Sequence, residues 1–467
     1  MKKMTYIGLI AVILIVITSC SRGNEQYESG QLTTYHFIHD LDYLLHTLEE
    51  NFALFDVAYW ARGVDIRVLT ENARTAILET DQIRREDFYR IMSSYFRNLN
   101  SIAHFRLSPP EGIGRWDYVH ESMPHETVDI SKISSDILDA DDIEDIYRRF
   151  TNLRTELFSG QRLAVEQFYS NVMNNFPSIV GNDLAEDMFY SHIYGDFKLL
   201  IRVMEAFHLA VEGAITTNII EEGRIAYIAP RCFLIASMSS EAAQQYERQV
   251  LDFLNQISGY EHLIVDLRGH MGGVTNFFFN NIVRPTAGRT LRAKGYAFVQ
   301  NGRHISTSPL HIMPPMGGIP IDREFIPVHE LLEYAYLPEL NIQDMERMDY
   351  SFRFQLTVAP GGPQLFDGKI WLLASTGIGS AAQIITWFVE ETGFATIVGD
   401  ITGGNYGGLS THMRLPYTNL LVRFDQAYVT NSRGRPLEAG TIPNHFTRPR
   451  MDALETTLAL IAEGCII

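Results

Sequence analysis

Ser380 stands where a strand turns into a helix. An apolar run, Ile370 to Ala374, precedes it, then the turn Gly377-Ile378-Gly379, and Ala381 to Glu390 continue with helical spacing. A hydroxyl at such a turn is accessible, and the first N–H groups of a helix have no partner inside it. Acyl transfer needs that combination, a nucleophile beside donors for a developing oxyanion. Serine is equally a favoured helix N-cap, so the segment alone leaves both readings open. Three histidines are candidates for a base: His104; His270, which abuts the turn Gly272-Gly273; and His412, which follows Gly407-Gly408-Leu409-Ser410. No C-x-x-C or H-E-x-x-H spacing and no G-x-x-x-x-G-K-[ST] occur, so neither a metal site nor a phosphate loop is expected, and no cofactor is assigned.

The elements that must position these residues fall into two textures. From Gly223 onward strands and helices alternate. Arg224 to Ala229 and Leu263 to Leu267 read as strands, Glu241 to Ile257 as a helix. The apolar strands suit a sheet covered on both faces, which makes this part α/β. A helix is expected over Val274 to Val283, a hairpin over Leu420 to Val429, and a strandless excursion over Ser306 to Asp349. Before Gly223 the spacing is helical. Phe37, Leu41, Leu44, Leu48 and Phe52 form one stripe, and Phe88, Ile91, Met92 and Tyr95 another. A second helical stretch, charged and amphipathic, fills 111–222.

The chain has 467 residues, enough for two or three domains. It begins Met1-Lys2-Lys3, runs apolar from Tyr6 to Ile17, and continues Thr18-Ser19-Cys20. A basic start, a short apolar core and small residues predict a secretory signal, and the run is shorter than the roughly 20 residues of a spanning helix. Ile-Thr-Ser-Cys resembles the lipobox of bacterial lipoproteins, which implies cleavage before Cys20 and its acylation. The expected organisation is a signal peptide (1–19), a tether (20–34), a helical domain (35–110), a helical insertion (111–222) and a catalytic domain (223–467). The expected place is the cell envelope, extracytoplasmic and membrane-anchored. A net charge of -18 argues against nucleic acid. Besides Cys20 only Cys232 and Cys465 occur, so disulfides do not build the fold.

Six segments, in order, resemble the C-terminal-processing (tail-specific) and tricorn-core serine peptidases. They are Asp40 to Phe52; Ser101-Ile102-Ala103-His104; Asp266-Leu267-Arg268-Gly269-His270-Met271-Gly272-Gly273, similar to D-L-R-G-N-G-G-G; Gly379-Ser380-Ala381-Ala382-Gln383, similar to S-A-x-E; Val398 to Gly404; and Pro436 to Pro443. The resemblance implies a crotonase/ClpP-like β/α core and a serine endopeptidase acting on peptides or unfolded proteins. It implies Ser380 as nucleophile, His104 as general base and Glu438 as the group that orients the site. It also implies Ala381 with Gly272 or Gly273 as oxyanion donors. Departures are equally specific. Tail-specific members carry a catalytic lysine where Asn405 stands, and no lysine follows Lys369. Ala103 stands where the tricorn core has a serine, and Gln383 where Glu is common. No PDZ-like segment is read between His104 and Gly223. The alternative reading is an inactive, peptide- or partner-binding lipoprotein, and a third is an esterase using the same serine.

Overall fold

The computed structural model describes residues 32–108, 215–230, 240–270, 272–273, 275–301, 321–404, 408 and 410–464. The signal peptide with Cys20, most of the tether and of the insertion, Cys232, Cys465 and Asn405 lie outside the described residues.

The scaffold under Ser380 is a six-stranded sheet of order β13-β9-β8-β4-β3-β2. Its strands are β2 (Ile215–Glu221), β3 (Ile225–Pro230), β4 (His262–Asp266), β8 (Lys369–Ala374), β9 (Thr396–Gly399) and β13 (His445–Phe446). All neighbours are parallel except β2, which returns antiparallel on β3. The sheet therefore starts at Ile215, inside the stretch expected to be helical. Its central strands read as unbroken apolar runs because both faces are buried. Leu263 and Val265 of β4, with Ile370 and Leu372 of β8, enter one core. Ile264, Trp371 and Leu373, pointing the other way, enter a second core against α8 (Ala453–Ala462). On the first face lie α5 (Ser240–Gln256), α7 (Ala381–Thr392) and a helical stretch over 276–286 whose middle turn, Phe279–Val283, is π. Helix α7 is apolar nearly all round because Ala381 to Val389 are all buried.

A four-stranded antiparallel sheet, β12-β5-β7-β6, closes that first core. It comprises β5 (Leu291–Val299), β6 (Ile321–Pro327), β7 (Tyr350–Val358) and β12 (Ala427–Asn431). Strand β6 and helix α6 (Val328–Tyr334) occupy the region expected to be strandless, and β6 pairs along its whole length with β7.

The N-terminal helices are α1 (Thr34–Asn51), α2 (Val57–Arg62), α3 (Ile66–Glu79) and α4 (Arg85–Tyr95). The stripe Phe37, Leu41, Leu44, Leu48, Phe52 is fully buried as its spacing predicts. It does not close on itself. The same core contains Phe298, Val422, Phe424 and Tyr428. The chain then enters β1 (Arg106–Ser108), which pairs antiparallel with β11 (Leu421–Asp425), itself paired with β10 (Ser410–Arg414). Strands β11 and β12 are thus not the hairpin expected over 420–429. Only Gln426 separates them, yet they belong to different sheets. Asp40 of α1, fully buried, accepts the N–H groups of Tyr417 (2.9 Å) and Thr418 (2.7 Å) and so ties the β10–β11 turn to the helices.

Candidate active site

Ser380 occupies the N-cap position of α7, but its side chain makes no capping bond. Its backbone sits at φ 52°, a region a non-glycine residue adopts only at some cost, commonly at functional sites. Two bonds hold it there: its N–H donates to the Gly404 carbonyl (3.2 Å), and the Gly379 N–H donates to the His270 carbonyl (3.2 Å). The Oγ lies 2.8 Å from Nε2 of His104.

His104 reaches Ser380 from the far end of the helical layer. Ala103 (φ 44°) and His104 (φ 55°) are two successive left-handed residues, which turn the chain sharply before β1. The pairing of β1 with β11 then brings Asp425, the last residue of β11, beside the imidazole. His104 Nδ1 is 2.7 Å from Asp425 Oδ2, and the Asp425 N–H donates to the Ala103 carbonyl (3.2 Å). Asp425 is fully buried and also accepts the Gly408 N–H at 3.1 Å. A carboxylate only accepts, so Nδ1 must carry the proton. Nε2 then has a free lone pair for the serine hydroxyl. The arrangement can therefore draw a proton from Ser380 as its oxygen attacks a carbonyl.

Glu438 is not the carboxylate on the imidazole. It is buried in a short 3-10 turn, its Oε2 accepts the Ala103 N–H (3.4 Å), and its Oε1 lies 3.6 Å from Nη2 of Arg62. Its reach to His104 is through the preceding peptide. Arg62, at the end of α2, also donates to the Gly403 carbonyl (2.7 Å). The residue the sequence reading lacked is Asp425. Its one signal is a carboxylate closing the largely apolar strand Leu421-Val422-Arg423-Phe424, where an unpaired charge is costly.

Of the expected oxyanion donors, Ala381 opens α7 next to Ser380. Gly272 is pressed against both: a Cβ built on it would stand 2.7 Å from the Ala381 nitrogen and 2.8 Å from the Ser380 Cβ. Only glycine fits. Its N–H, however, donates to Nδ1 of His270 at 3.0 Å. That bond directs the Gly272 amide at the His270 ring. Asp266 and Arg268 brace the turn as an ion pair (2.8 Å), Asp266 also accepting the Tyr227 hydroxyl (2.7 Å). Phe277, Phe278 and Phe279 are buried in the core. His412 lies on β10, on the strand next to Asp425. Gln383, fully buried on α7, donates to Thr441 Oγ1 (2.9 Å) and accepts from Thr402 Oγ1. It thereby ties the helix that begins after Ser380 to the 400s loop. Among the described residues no cluster of His, Cys, Asp and Glu could hold a metal, and no helix is long and apolar enough to cross a membrane.

Among solved structures, the chain is similar to a candidate peptidase from Parabacteroides merdae. Identity is 13%, TM-score 0.49, and coverage 94% of this chain and 100% of the other. It is also similar to mature CPAF in complex with lactacystin (11%, TM-score 0.48, 88% and 94%). A third is the photosystem II D1 C-terminal processing protease (12%, TM-score 0.37, 90% and 94%). No curated protein matches the chain in sequence. Residues 224–447 match the model of peptidase family S41, a span that holds Ser380, Asp425, Glu438 and the Gly272-Gly273 turn but not His104. Over that segment the chain is similar to peptidase family S41, the C-terminal-processing peptidases.

Proposed function

We propose that this chain is a serine endopeptidase that hydrolyses peptide bonds in peptides or unfolded proteins through an acyl-enzyme on Ser380. The observation that carries the reading is one continuous hydrogen-bonded line, Ser380 Oγ to His104 Nε2 at 2.8 Å and His104 Nδ1 to Asp425 Oδ2 at 2.7 Å. In the first half-reaction Ser380 Oγ attacks the scissile carbonyl while His104 Nε2 accepts its proton. Asp425 stabilises the imidazolium that forms, and the proton passes from Nε2 to the leaving amine. In the second, His104 draws a proton from water as that water attacks the ester, then returns it to Ser380 Oγ as the acyl–Oγ bond breaks and the carboxylic acid product leaves. Ala381 and Gly273 supply N–H groups to the oxyanion. The family match over residues 224–447 supports the peptidase class, and the absence of lysine after Lys369 favours histidine over lysine as base.

A fluorophosphonate probe tests this. Wild type labels, and Ser380→Ala and His104→Ala do not. A wild type that stays unlabelled at high probe concentration overturns the reading and favours a peptide-binding protein without turnover. The proposed place of action is outside the cytoplasm, on an N-terminal lipid anchor. Ile-Thr-Ser-Cys20 supports it. Metabolic labelling with palmitate should mark wild type and not Cys20→Ser; equal labelling of the two rules the anchor out.

A further inference from the structure

We propose that His270 is a positioning residue for the oxyanion turn, its imidazole taking the place of the side-chain oxygen in an Asx turn. The inference rests on the peptidase reading and deepens it. An Asx turn forms when an Asn or Asp side chain accepts the N–H two residues on. Here Nδ1 of His270 accepts the Gly272 N–H, two residues on, at 3.0 Å. Since that amide can only donate, Nδ1 holds a lone pair and the neutral ring carries its proton on Nε2.

His270 is fixed on every side that the bond requires. Its own N–H donates to the Leu267 carbonyl (3.0 Å), anchoring the turn to the end of β4. Its carbonyl accepts the Gly379 N–H (3.2 Å), immediately before the nucleophile. The preceding residue, Gly269, donates its N–H to Ser375 Oγ (3.0 Å) at the end of β8. The side chain is 6% exposed. One residue thus bonds to both loops that flank the oxyanion, the turn by its ring and the nucleophile loop by its backbone.

Gly272 leaves this geometry no slack. Even a methyl group there would overlap Ser380 and the Ala381 nitrogen. If the imidazole released its amide, the Gly272 peptide could rotate and the glycines would move relative to Ser380. Misplacement by about 1 Å near reacting atoms costs on the order of 100-fold in rate. The bond acts on the position of the oxyanion and not on the groove that holds the peptide. Its loss should therefore appear in kcat and not in KM.

The test compares His270→Leu and His270→Asn in the mature full-length chain. It measures kcat and KM on a fluorogenic peptide, with the rate of fluorophosphonate labelling alongside. Leu removes the acceptor, and kcat should fall roughly 10- to 100-fold with KM within about 3-fold of wild type. Asn restores an acceptor for the N–H two residues on and should recover most of that loss. A Leu variant with wild-type kcat, or an Asn variant as impaired as Leu, overturns the inference while leaving the peptidase reading intact. An unlabelled wild type overturns both. If the Leu variant does not fold, the 15N shifts of the wild-type His270 ring decide: an unprotonated Nδ1 is expected, and a proton on Nδ1 overturns the inference.

Discussion

Asp425 decides which nitrogen of His104 carries the proton. Its carboxylate accepts from Nδ1 at 2.7 Å and has no proton to give. An amide in its place could present N–H to Nδ1 and so leave Nε2 protonated, unable to act as base. Asp425→Asn should therefore lower kcat roughly 10³- to 10⁴-fold, with substrate affinity little changed. Glu438→Gln keeps an oxygen for the Ala103 N–H and removes the charge from the 3.6 Å ion pair with Arg62. It should cost no more than about 10-fold, since a hydrogen bond or ion pair of this kind contributes around 1 kcal/mol. Steady-state kinetics of the two variants check the ranking; an equal or reversed ranking refutes the division of roles. The sequence shows why Asp425 is hard to find. Ser380 announces itself by a strand, a Gly turn and a helix start. Glu438 stands in a motif between Pro436 and Gly440. Asp425 stands in no motif of its own, and its role depends on which strand β11 pairs with.

At the scale of elements, the site depends on close backbone approach. Gly404 has φ 72°, and a Cβ there would lie 2.1 Å from the Glu438 carbonyl oxygen. Its own carbonyl receives the Ser380 N–H. Gly404→Ala must push the 400s loop off the Glu438 turn, and a strained left-handed residue adds about 1–3 kcal/mol. The melting temperature should fall, and probe labelling should slow even well below the melt, because Ser380 loses the bond that holds its φ. Unchanged labelling at 25 °C would show that the bond does not position the serine. The central sheet offers a pH test. His262, at the start of β4, accepts the Trp371 indole N–H at 3.3 Å. Burial holds its pKa below the ordinary 6.5, Glu261 opposing and Arg224 and Lys369 assisting. The unfolded chain then takes up a proton that the folded one refuses. The His262 contribution is complete above pH 6.5 and is lost as pH falls below it. Wild type should lose melting temperature between pH 7.5 and 5.5 more steeply than His262→Gln, and parallel curves would exclude the effect. Strands β4 and β8 are legible because burial on both faces leaves an apolar run. Strand β6 and the parting of β11 from β12 are not, because pairing partners far along the chain set them and no local pattern records the choice.

At the scale of the molecule, the proposed base and nucleophile, His104 and Ser380, come from distant parts of the chain, and the N-terminal helices pack against the elements that hold the candidate site. Phe37, Leu44 and Phe52 share one buried core with Val422, Phe424 and Tyr428. Asp40 holds the β10–β11 turn, and β1 adds a strand to β11. Arg62 holds the loop that carries Gly403. None of these contacts survives separation of the two parts, and each buried apolar face would meet water at about 25 cal/mol per Å². A helical domain bounded at residue 110 would therefore not stand as a separate folding unit. The expected behaviour is one cooperative transition in urea. Trp60, on α2 in the helical layer, and Trp371 and Trp387, on β8 and α7, sit on opposite sides of that junction. Single-tryptophan variants that retain only Trp60 or only Trp387 should report the same midpoint, and fluorophosphonate labelling should vanish with them. A lower midpoint for Trp60, with Trp387 still folded and labelling already gone, would mean instead that the helical layer opens first and takes His104 with it.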